Sequence, residues 1–149
     1  MPDDPLTPGR AAQRPVYAVA GGNHVTVLLD RAQTGGELDV IEVTARPGGG
    51  PPPHRHAFAE WFQVLEGELT VCEERDGTVV PTSVLTVGET LWIPPWTVHA
   101  TLNLGETLAR FAVISRPGAM SGYLAEISER WGIEFWTGPV DRSPDAAHH

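Results

Sequence analysis

The sequence predicts an all-β barrel or sandwich. Short segments rich in β-branched and aromatic residues recur along the chain, separated by turns bearing Gly, Pro and Asn. One stretch alone, near the C-terminal end, has helical periodicity, and no repeat of solenoid type is present.

A polar, Pro-rich lead over residues 1–14 reads as flexible. The first strand is expected at Val16–Ala20 and the second at His24–Leu29, split by the turn signal GGN. QTGG precedes a third strand, Glu37–Ala45. Proline has no N–H to give to a ladder, so PGGGPPP (Pro47–Pro53) reads as a stiff loop. That loop delivers the chain to Pro53–His56, and the connection AFA leads on to Glu60–Leu65. LEGE, RDGT and TVGET set off the strands Glu68–Glu74, Val79–Val84 and Thr90–Ile93. A second Pro-rich turn, IPPW (Ile93–Trp96), leads to His99–Asn103, and NLGE leads to Leu108–Ser115. In Met120–Trp131, the residues Tyr123, Leu124, Ile127 and Trp131 recur at spacings of three and four. This gives a short helix with one apolar face, packed across the outside or one end of the barrel. Residues 15–137 therefore read as one barrel domain and 138–149 as a flexible tail. His148 and His149 read equally as native residues or a tag remnant and carry no functional weight.

The 149 residues suit one domain, and a hydrophobic share of 41% suits a packed core. A net charge of −9 without a basic patch argues against nucleic acid and anionic membranes as partners. All ten basic residues are Arg, which excludes Schiff-base and amine-nucleophile chemistry. Cys72 is the one cysteine, so no intrachain disulfide can form and a reducing cytoplasm suits the chain. The N-terminus lacks the apolar core of a signal peptide, and no apolar run approaches a membrane span of about 18 residues.

His54, His56 and Glu60 are the first chemical signal. His54 and His56 are two apart and share one face of a strand. Glu60 follows a three-residue connection and opens the next strand. Cross-strand neighbours lie about 5 Å apart, so the three side chains can converge. Burying such groups without a partner is costly, and a metal ion would compensate them. A fourth ligand must come from elsewhere; His99, after its own Pro-rich turn, is the better candidate and His24 the weaker.

At this level of detail the chain resembles the cupin superfamily. The first block reads Gly48, five residues, His54, one, His56, three, Glu60, six, Gly67; the second reads Gly88, five, Pro94, then His99, three, Asn103. One position departs: Trp96 stands where cupins usually carry Gly. The resemblance implies a double-stranded β-helix, a jelly-roll barrel with the metal inside. It also implies a divalent transition metal, Fe, Mn, Ni, Co or Zn, held by His54, His56, Glu60 and His99. A homodimer with sheet-to-sheet contact between barrels is implied as well.

The run GGGPPPHRHAFAEWFQVLEGELTV resembles small cupins similar to quercetin 2,3-dioxygenase. That implies a metal-dependent dioxygenase acting on an aromatic, enolisable small molecule, with Glu60 as both ligand and proton acceptor. Phe62 lies two past Glu60 and should face the same interior; Trp92, Trp96 and Phe111 are further candidates for an apolar pocket beside the metal. Two alternatives stand: a metal-dependent isomerase, decarboxylase or polyketide cyclase that needs no O₂, and a non-catalytic ligand-binding cupin. Arg46 and Arg110 are expected on the solvated exterior, and Asn103 as a structural residue at the barrel end.

Overall fold

The computed structural model describes residues 6, 8–10, 14, 16–19, 22–121 and 129–143. Each expected strand is present: β1 (Val16–Val19), β2 (Asn23–Leu29), β3 (Asp39–Ala45), β4 (His54–Arg55) and β5 (Ala59–Glu66) come first. They are followed by β6 (Leu69–Arg75), β7 (Thr78–Leu85), β8 (Thr90–Ile93), β9 (His99–Leu102) and β10 (Ala109–Arg116). One strand was not expected, β11 (Glu134–Phe135). Its two residues pair with Arg55 and His54 of β4, so the partner rather than local sequence makes it a strand. Of the expected helix, residues 122–128 lie outside the described residues, and 129–131 are helical. Much of the expected lead and tail also lies outside them; Val79 nevertheless donates its N–H to Pro139 and accepts one from Asp141.

The strands form two antiparallel sheets, in the order β1-β2-β3-β10-β5-β8 and β11-β4-β9-β6-β7. The fold is the expected all-β jelly roll. Alternation drives it: β3 and β10 bury every second residue from end to end. The inward residues Val25, Ile41, Val43, Phe62, Val64 and Phe111, from four strands, belong to one buried cluster that also takes in Leu69, Val71, Leu85 and Ile93. Burying each of these removes apolar surface from water, worth about 1.5–3 kcal/mol apiece.

The Pro-rich loop is tied down before it reaches β4. Gly48 donates its N–H to the Asn103 carbonyl (2.7 Å), and Asn103 donates its own to Gly49 (2.9 Å). Gly50 has φ +145°, and a Cβ there would stand 2.7 Å from the Thr101 carbonyl oxygen. Only glycine lets this loop press so closely on β9. The Asn103 side chain, fully buried, donates to the carbonyls of Ala45 (2.9 Å) and Thr107 (2.7 Å). These bonds give Asn103 a structural role, joining the end of β9 to β3 and to the turn before β10.

Candidate metal centre

The strands β4 and β9 place His54 and His99 directly opposite each other, with ring centroids 4.7 Å apart. His56 follows β4 immediately, and its ring stacks on buried Phe58 at 3.7 Å, nearly parallel. Trp96 donates its backbone N–H to the His56 carbonyl (2.8 Å), which ties the second Pro-rich turn to this corner. Glu60 points inward from β5 and is 4% exposed. Its Oε1 lies 2.8 Å from His56 Nε2 and 3.4 Å from His99 Nε2.

The three imidazoles are held in the same way. Each Nδ1 donates to a backbone carbonyl two residues away: His54 to Pro52 (2.8 Å), His56 to Phe58 (2.9 Å) and His99 to Thr97 (2.7 Å). A carbonyl can only accept, so each Nδ1 carries the hydrogen and each neutral ring keeps its lone pair on Nε2. This is the outer support that metal-ligating histidines require.

The ligand atoms of His54, His56 and His99 all lie within 4.8 Å of one another. Two bonds of about 2.1 Å to one ion span at most about 4.2 Å, so small rotations suffice for the three to share it. The three histidines could hold a metal ion. The Glu60 contacts point the same way. A carboxylate oxygen 2.8 Å from an imidazole Nε2 is tolerable only with a proton or another cation between them.

The electrostatics follow from burial and crowding. Burial, helped by the neighbouring His99, pushes the His54 pKa down to about 4, so this ring is neutral at pH 7. Burial alone would raise the Glu60 carboxyl, but His56 and His99, which donate to it through Nε2 when their rings are protonated, outweigh burial and hold it at about 2. Burial would likewise lower His99, yet its hydrogen bond to Glu60 wins and raises it above the ordinary histidine value.

These residues stand at one side of a cavity of about 260 Å³. Phe62 and Phe111 line it, their rings stacked at 5.5 Å, and Val25, Val43 and Val113 extend the same wall. Trp92 and Trp96 correct the expectation, because neither lines the cavity. Trp92 is 57% exposed. It sits opposite Trp61, between the inward positions Glu60 and Phe62, so alternation turns both indoles outward. Trp96 is 48% exposed and adopts φ +61°, the left-handed conformation that glycine takes most easily. Its indole lies under the Arg55 guanidinium at 5.9 Å, on the outside. His24 is exposed on β2 and takes no part. Arg110 pairs with Glu42 (2.8 Å) and Glu66 (3.3 Å) on the outer face.

Several wall residues escaped the sequence reading. Asn23 shares the inward parity of Val25 and Val27, but the expected strand began one residue after it. Phe58, which seats His56, lies in the connection AFA and carried no periodic signal. Ile133 and Phe135 reach the cavity through the pairing of β11 with β4.

A family model described as a cupin domain matches residues 41–115. No curated protein matches the chain. Among solved structures, the polyketide cyclase RemF from Streptomyces resistomycificus superposes with TM-score 0.63 at 21% identity, over 74% of this chain and 79% of that one. An RmlC-like cupin from Shewanella frigidimarina gives TM-score 0.60 at 22% identity, over 78% and 95%. An oxalate oxidase gives TM-score 0.60 at 30% identity, over 77% of this chain and 61% of the enzyme. The first two likenesses speak to the fold alone.

Proposed function

This chain belongs to the cupin domain family, and on that premise we propose that it is a metal-dependent dioxygenase of a compact, aromatic, enolisable molecule, similar in chemistry to quercetin 2,3-dioxygenases. The observation that carries the reading is the convergence of three imidazoles and a carboxylate beside an apolar cavity. His54, His56, His99 and Glu60 would hold the ion, and three imidazoles with one carboxylate suit Fe, Mn, Co, Ni or Zn. When bound, the metal would supply Lewis-acid activation of a substrate oxygen and a template for dioxygen.

The remaining work falls to the chain. Phe62, Phe111, Val43 and Val113 offer flat apolar walls that orient a ring system and exclude water. Glu60 is ionised at neutral pH and accepts the proton of an enol or phenol brought within hydrogen-bond reach. No arginine is among the described residues lining the cavity. A dicarboxylate such as oxalate would find no guanidinium there to hold its second carboxylate, whereas the apolar walls suit an aromatic substrate.

A second reading rests on Tyr17. Besides the four candidate ligands it is the one titratable side chain among the described lining residues, and with Glu60 it would give a donor–acceptor pair for an isomerisation or cyclisation without O₂. Elemental analysis, then oxygen uptake on a flavonol panel after loading with Fe, Mn, Co or Ni, tests the proposal. About one metal per chain and oxygen consumption with at least one metal are expected. Full occupancy without turnover overturns the substrate class, and anaerobic turnover establishes the second reading.

We also propose a cytoplasmic homodimer. The single buried Cys72 suits a reducing compartment. On the outer face of the six-stranded sheet, Val40, Ile114, Trp61 and Trp92 form one cross-strand row of outward apolar residues. Sedimentation of Trp92→Arg should show a lighter species than wild type; an unchanged mass contradicts a dimer through this row.

A further inference from the structure

We propose that Asn23 is a second recognition point in the cavity, and that the ligand is a ring system carrying a hydroxyl remote from its reacting end. The inference deepens the reading above and rests on it only for the reacting end.

Asn23 opens β2, points inward and is 5% exposed. It lines the cavity, yet its amide oxygen has no hydrogen-bond partner. Buried polar atoms are nearly always paired, and an unpaired one costs its full desolvation. A few other buried side-chain atoms are unpartnered, among them Asp39 Oδ1, Ser115 Oγ and Trp131 Nε1. None of those residues lines the cavity. Among the described residues, Asn23 alone combines an orphaned acceptor with access to the ligand space.

Its place in the sheet gives the ligand a shape. Glu60 pairs with Ser115, which pairs with Asp39 at the start of β3. Asn23 pairs with Ala45 at the other end of β3. Glu60 and the Asn23 amide therefore lie at opposite ends of the six-stranded sheet, and His56 and His99 gather at the Glu60 end. Between them the inward positions are apolar: Val25, Val43, Phe111 and Phe62. A molecule that satisfies both ends is polar, then flat and apolar, then polar. The second polar group must donate, because the orphan is a carbonyl oxygen. A phenolic hydroxyl on the far ring meets that need.

The test measures binding to metal-free protein by fluorescence quenching. The ligands are 3-hydroxyflavone, 3,7-dihydroxyflavone and 3,4′-dihydroxyflavone. Wild type should bind at least one dihydroxy compound about tenfold more tightly than the parent. Asn23→Leu should bind all three alike, at the parent's affinity. Asn23→Asp, which keeps the acceptor, should keep the preference and covers the case in which the leucine variant fails to fold. A preference that survives in folded Asn23→Leu, or a wild type without preference or binding, overturns the proposal. Because the protein is metal-free, the result separates from the fate of the metal reading. Turnover can fail while the preference stands, and the preference can be absent while oxygen is consumed.

Discussion

The two sheets contribute to the cavity in different ways. The five-stranded sheet brings His54 and His99 on β4 and β9, strands of two and four residues. The six-stranded sheet brings an apolar wall on β2, β3, β5 and β10, strands of seven or eight. Imidazoles are placed by turns: stiff proline approaches, then hydrogen bonds from each Nδ1 to a carbonyl two residues off. The wall is placed by alternation over long ladders. Glu60 crosses the divide, a donor set in a long strand, inward by the same parity as Phe62. Local backbone chemistry thus aims the donors, and sheet periodicity shapes the space they face.

If that division is right, a change on the imidazole side should remove chemistry and spare the fold. His99→Ala should cut metal affinity at least a thousandfold, about 4 kcal/mol, while the melting curve of the metal-free protein stays cooperative. Full metal content in this variant would show that His99 is no ligand. A change on the wall should do the reverse. Phe111→Ala should cost about 3–5 kcal/mol in urea denaturation, with metal content retained. A loss under about 1 kcal/mol would mean the wall does not depend on the Phe62–Phe111 stack.

Acid should weaken the donor side alone. Metal binding needs neutral rings, and protons compete for them. His99 sits above the ordinary histidine value, so it takes the first proton as pH falls from 8; His54, at about 4, stays neutral far longer. Affinity should begin to fall above pH 6.5 and drop about tenfold per pH unit per proton. Flat affinity from pH 8 to 5 would contradict the histidine set. The smallest effect belongs to the rim, where Arg55 pairs with Glu134 at 2.7 Å, both about half exposed. Arg55→Ala should cost less than about 1 kcal/mol; a larger loss would make this pair a true clamp on β11.

The sequence displayed the donors better than the wall. Metal-ligand types at fixed spacing are a local signal: the spacing pointed to His54, His56 and Glu60, the family resemblance added His99, and the structure places these four side chains together. Strand positions were legible from turn chemistry, because Gly and Pro punctuate where ladders cannot continue. Register was not legible, since it depends on partners far along the chain. Trp92 faces out because it opposes Trp61, a fact of pairing and not of its neighbours in sequence. Asn23 was lost by one residue at a strand boundary, where such readings are weakest. Trp96 departs from the family pattern at a single position. Its left-handed backbone shows why glycine is usual there.

The most direct measurement is a Co(II) titration of metal-free protein followed by visible absorption. The account predicts saturation at about one equivalent per chain, with a weak d–d band from nitrogen and oxygen donors that disappears in His99→Ala. A wild-type spectrum that never saturates, or one that is identical in the variant, would contradict a centre built from these four side chains.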